Sequence, residues 1–161
     1  MSAYALYWVI GIVQPQVYRI TFLMVALSLT FLLYPFSRRS RAKVTAVDWM
    51  LLGAGVVALL RPIVDFEQFV RRAATPTTLD LVLGVVTIGL VLEATRRTVG
   101  WILPVTALAF LVYGYLGPLL GLVGLDLFAH RGYAVDRLVG TLYMTLEGIF
   151  GVPLDVVATY I

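Results

Sequence analysis

Cysteine is missing altogether, which removes disulfides, thiolate metal ligands and thiol nucleophiles together. Histidine occurs once, as His130, so a site built on paired imidazoles is excluded too. Charge is scarce: 13% of the residues are charged and 61% are hydrophobic. A soluble domain carries roughly 25% charged residues, and the mean hydropathy of +0.96 lies far to the apolar side of that class. The chain therefore reads as an integral membrane protein. Its 161 residues leave room for four or five spans of about 20 residues each and none for a separate soluble domain.

The first long apolar run, VYRITFLMVALSLTFLLYPF from Val17 to Phe36, rises about 30 Å as a helix, the thickness of a hydrocarbon core. Upstream, YALYWVIGIV is too short to cross and has no basic flank of the signal-peptide kind. It reads as an interfacial segment, with Tyr4, Tyr7 and Trp8 at headgroup depth. A second run begins at Asp48 and meets Arg61 and Pro62, which predicts a span with a snorkelling arginine and a kink at the proline. DFEQFVRRAATPTT then reads as a loop or surface helix, and Thr77 or Thr78 as the cap of a third helix starting at Leu79. Trp101 to Leu120 supplies a fourth apolar run.

The third run poses the sharpest question. From Leu79 to Leu92 it rises only about 21 Å, and LEATRR follows. A single buried element through this region would place Glu93, Arg96 and Arg97 near mid-bilayer, at a cost of about 9 kcal/mol. Extending the helix through Arg97 and reversing at Thr98, Val99 and Gly100 moves all three charges to an interface. Glu93 and Arg97 are then correctly spaced for an i,i+4 pair. These three residues read as an interfacial ion pair or a subunit contact, with a proton or ion relay as the sharper alternative.

SRRSRAK places Arg38, Arg39, Arg41 and Lys43 in one short loop. The cluster reads as a topology signal or as a contact for anionic lipid, not as a nucleic-acid surface. By charge density near the first span, both basic turns face the cytoplasm and the N-terminus lies outside.

From Tyr133 onward, Val135, Leu138, Val139, Leu142, Leu146, Ile149 and Phe150 recur at helical spacing. Asp136, Arg137, Thr141 and Thr145 fall off that stripe, as in a helix lying on a membrane or against a partner. Gly117 and Gly121, and more weakly Ala54 and Ala58, have the spacing that lets helices approach closely. GPLLGLVGLD lacks the Lys-Ser/Thr pair of a phosphate loop. His130 has no companions for a metal site or for general-base catalysis. Neither an enzyme nor a cofactor is expected.

Two stretches, ATPTTLDLVLGVVTIGLVLEATRRTVGWILP (74–104) and AHRGYAVDRLVGTLYMTLEGIFGVPLDVVATYI (129–161), resemble the N-terminal part of TRAP transporter fused permeases of the TAXI-associated type. The strings PTTLD, LEATRR, HRGY and EGIFG carry the resemblance, which extends over most of the chain from Val17. It implies the small, DctQ-like scaffold domain of a tripartite secondary transporter, followed by the arm leading into a large elevator-type permease. It also implies a periplasmic TAXI-type solute-binding protein as a partner, and a bacterial or archaeal plasma membrane. No substrate-site or ion-site residue matches within this chain. Asp155 stands where the family commonly has glycine, and Ala134 where it has a capping serine. The family continues beyond ATY, so Ile161 implies a split subunit or a truncated product.

The expectation is thus an all-α membrane protein. Residues 1–126 form a four-helix membrane domain with an interfacial N-terminal segment, and 127–161 an amphipathic arm and the start of a further helix. Leu138, Leu142, Leu146, Glu147 and Phe150 are expected to contact the large permease subunit, and membrane lipids surround the whole. A self-sufficient homo-oligomeric channel or ion carrier, with Glu93 facing a pore, is the competing expectation.

Overall fold

The computed structural model describes residues 14–36, 44–122, 130–145 and 147–160. The expected N-terminal interfacial segment, the SRRSRAK loop with Arg38, Arg39, Arg41 and Lys43, and Leu146 lie outside the described residues.

Helix α1 spans Pro15–Leu33. It begins ahead of the apolar run because Pro15 occupies its first turn, where the missing N–H costs nothing. It stops at Tyr34, the residue before Pro35, where helical backbone is disfavoured. Helix α2 (Ala46–Val64) and helix α4 (Thr78–Thr98) start alike, on a Thr-x-x-Asp capping box. In the first, the Thr45 N–H and hydroxyl donate to Asp48 Oδ2 at 2.9 and 2.6 Å. In the second, Thr77 does the same to Asp80 Oδ2 at 3.2 and 2.6 Å. Between them lie the short α3 (Phe66–Arg71) and a 3-10 turn, Arg72–Ala74.

The reversal at Val99 and Gly100 falls where the charge arithmetic places it, and Gly100 takes φ +103°, a backbone that side-chain-bearing residues rarely adopt. Helix α5 (Ile102–Leu122), α6 (Val135–Met144) and α7 (Val152–Tyr160) follow. Every regular element among the described residues is helical. Three helices, α1, α2 and α4, are long and apolar enough to cross a membrane. Helix α5 contributes a shorter apolar stretch, Ile102–Pro118.

The core sits among α1, α2 and α4. Ile20, Leu23, Leu27 and Phe31 of α1 pack with Leu59 of α2 and with Leu90 and Ala94 of α4. Tyr143, Met144 and Phe150 close one end of that cluster. Phe69 of α3 is buried with them, its ring edge-on to Tyr143 at 5.4 Å.

Two prolines inside helices decide how the C-terminal segment docks. A proline at position i cannot donate to the carbonyl at i−4, and an unsatisfied carbonyl in hydrocarbon costs several kcal/mol. Helix α2 continues through Pro62, which leaves the Ala58 carbonyl free, and the Tyr143 hydroxyl donates to it at 2.6 Å. Helix α5 contains Pro118, which frees the Gly114 carbonyl, and the Tyr133 N–H donates to it at 3.0 Å. Residues 130–144 are thus pinned to α2 and α5 by carbonyls that prolines vacated. The Gly117 position of the G-x-x-x-G spacing serves this segment, not a helix pair: the His130 ring lies over it where a side chain would be.

Candidate functional site

The C-terminal turn of α4 brings Glu93, Arg96 and Arg97 together as the sequence suggests, and adds a partner that it does not suggest. Arg97 Nε donates to Glu93 Oε1 at 2.8 Å, while Nη1 donates to Asp48 Oδ1 at 2.6 Å and to the Tyr34 carbonyl at 2.9 Å. Asp48 also accepts the Phe36 N–H at 3.2 Å. The guanidinium stands 5.0 Å from the Phe31 ring centroid and 5.6 Å from that of Phe36, within cation–π range. Arg96 makes a two-pronged contact with Glu93, 2.7 Å at each nitrogen, and lies 5.1 Å over the Trp101 ring. Burial divides the group: the side chains of Arg97 and Asp48 are 3% and 0% exposed, those of Glu93 and Arg96 23% each.

Chemically this is a charge-balanced clamp of two carboxylates and two guanidiniums. Arginine does not give up its proton in proteins, so the cluster cannot pass protons through its cations. What it does is tie the end of α1, the start of α2 and the end of α4 into one unit. Arg97 points into that junction and is not available as a subunit contact; only Glu93 and Arg96 keep an outward edge. Asp48 escapes sequence reading because nothing local distinguishes a capping aspartate from one that also binds an arginine 49 positions on.

At the opposite end of the helices a second polar layer forms. Asp80, 2% exposed, faces Arg72 at 3.7 Å. Tyr143 lies near both Asp80 and Arg61. Burial, reinforced by the Asp80 charge and opposed by Arg61, pushes the Tyr143 phenol above its ordinary range. Arg19 makes a bidentate pair with Asp155, 2.8 Å on each side, and reaches the Phe150 carbonyl at 3.1 Å. The Tyr18 hydroxyl donates to the Ala158 carbonyl. Asp155 therefore fastens α7 to the start of α1, a role beyond favouring its own helix start.

The stripe on α6 turns inward more than expected. Val139 and Tyr143 pack over Gly84 of α4, where an added Cβ would lie 2.6 Å from Val139 Cγ1. Phe150 is fully buried in this chain's own core. It is removed from the set of outward contacts, because its ring packs 6.2 Å from that of Tyr143. Leu138 and Leu142 face a crevice beside α5, and Glu147 is exposed. Ala134 gives α6 no side-chain cap, as its methyl group dictates.

His130 is committed structurally. Its Nδ1 accepts the Gly132 N–H at 3.0 Å, so Nε2 carries the proton and donates to the Tyr113 carbonyl at 3.2 Å. No group of three or more metal-ligating side chains gathers among the described residues. Hydroxyls within the helices, such as Thr87 to Leu83 O at 2.8 Å and Ser28 to Met24 O at 2.8 Å, return to their own helix rather than lining a polar path.

Among the described residues, fold and site together define an all-helical chain with three helices fit to cross a membrane, whose buried ion pairs fasten helix ends. Comparison with protein-family models, curated proteins and solved structures finds no match.

Proposed function

We propose that this chain is the small scaffold component of a TRAP-type secondary transporter for small organic acid-like solutes, with α5 as the fourth span and α6 as the arm. One observation carries the reading: the described charged clusters hold helix ends together, while α5 presents an uncommitted apolar surface. Ile102 is 80% and Phe110 70% exposed on that helix. A helix this apolar, packed on one side only, suits a lipid boundary or a larger helical partner. The LEATRR and EGIFG strings resemble those of TRAP transporter fused permeases, and that resemblance implies the large permease subunit and a TAXI-type binding protein as partners.

Affinity purification from native membranes tests the proposal: a large multi-span protein is expected to come down with the chain. Recovery of a folded, monodisperse chain alone argues for the self-sufficient channel. Flux in liposomes holding only this chain, altered by Glu93→Gln, then establishes that alternative.

A further inference from the structure

Helices α4, α5 and α6 leave a gap between them. It is a crevice of about 300 Å³ walled by apolar side chains, among them Val85 and Ile88 of α4, Leu111 and Val112 of α5, and Leu138 and Leu142 of α6. Tyr115 is shared between this crevice and a neighbouring hollow of about 350 Å³ that is lined also by Arg131, Gly132 and Tyr133. Arg131 is exposed there, and the Arg137 guanidinium sits 5.6 Å over the Tyr133 ring. Asp136, also exposed, is the one acidic group in the first turn of α6.

The two spaces differ in depth along the helices. The hollow reaches Leu116 and Pro118, near the end of α5, whereas the crevice reaches one turn further back, to Leu111 and Val112. On α4, Val85 and Ile88 lie about 10 to 15 Å from the Thr78 end, the depth of the lower acyl methylenes near the bilayer centre when the helix crosses a membrane. The crevice is open and lined by apolar side chains, so in a membrane it meets acyl chains, and the adjoining hollow past Tyr115 carries Arg131 nearer the end of α5.

We infer that the crevice holds one acyl chain of an anionic phospholipid, with the phosphate at Arg131 and Arg137. Apolar lining selects a hydrocarbon chain; the two arginines, outnumbering Asp136, select a negative headgroup. The site needs α4 in a membrane but is independent of the transporter reading.

The test uses the full chain, purified in detergent, delipidated, and examined by native mass spectrometry with palmitoyl-oleoyl phosphatidylglycerol and with the matching phosphatidylcholine. One phosphatidylglycerol is expected to be retained in preference. Arg131→Gln is expected to cut that preference about fivefold, as for loss of one cation near a phosphate. Val112→Phe fills the crevice from a half-exposed position and is expected to lower retention of both lipids about tenfold, the equivalent of two buried methylenes. Unchanged helical circular dichroism checks that both variants fold. Equal retention of the two lipids by the unaltered chain, or full retention by Val112→Phe, overturns the inference.

Discussion

The Tyr143 hydroxyl donates at 2.6 Å to the carbonyl of Ala58, which lacks its helical donor because the residue four places on is Pro62. Tyr143→Phe is expected to cost about 1 to 3 kcal/mol, since a buried acceptor is then left bare. In a Pro62→Ala background the new N–H can satisfy Ala58, so the same Tyr143→Phe change should cost distinctly less. A double-mutant cycle, read from unfolding in detergent, measures the difference; additive costs would count against the proline-vacancy account.

Tyr143 also gives the stability a sign with pH. Burial first, and Asp80 second, hold its folded value above the ordinary 10.0. Below that value both folded and unfolded phenols are neutral and the hydroxyl contributes fully. As pH rises past it, the unfolded phenol loses its proton first and the folded state is disfavoured. Unfolding midpoints from about pH 9 to 11 are expected to fall more steeply for the native chain than for Tyr143→Phe. Parallel slopes would place the effect elsewhere.

Arg97 and Asp48 form a pair whose loss should be felt strongly. Arg97→Met leaves a fully buried carboxylate beside Glu93, and removing one member of such a pair costs about 3 to 5 kcal/mol. Removing both, as Asp48→Asn with Arg97→Met, should restore a substantial part of that loss. Tryptophan fluorescence during denaturation follows both variants, and a single variant as stable as the native chain would refute the clamp.

Gly84 and Gly89 lie on the same helix with opposite surroundings. A Cβ at Gly84 meets Val139 at 2.6 Å and Tyr143 at 3.2 Å, whereas nothing lies within 4 Å of one at Gly89. Gly89→Ala should be neutral or stabilise by about 0.5 to 1 kcal/mol through helix propensity. Gly84→Leu should push α6 off α4. Cysteines placed at Pro76 and Gly140, adjacent in the native chain, are then expected to crosslink poorly in Gly84→Leu and normally in Gly89→Ala.

Arg19 and Asp155 anchor α7 to α1 at a partly exposed site, with Asp155 39% accessible. Arg19→Gln is expected to lower stability modestly, by about 1 kcal/mol or less, while making the C-terminal helix markedly more open to limited proteolysis. Exchanging the two charges should return part of the protection; protection unchanged in Arg19→Gln would show that apolar packing alone holds α7.

The sequence by itself determined the class and the placement of charge. Long apolar runs point to membrane helices, Thr77 and Thr78 mark a helix start, and the cost of charges in hydrocarbon places a reversal after LEATRR. Each of these depends on residues within a turn or two of one another. Tertiary structure alone decided that Asp48 meets Arg97, that Phe150 is spent inside the chain, and that Tyr143 and Tyr133 answer the vacancies left by Pro62 and Pro118. A proline announces that a carbonyl is free, but which distant donor fills it depends on how helices cross, and apolar periodicity fixes which face is buried without naming the surface that covers it.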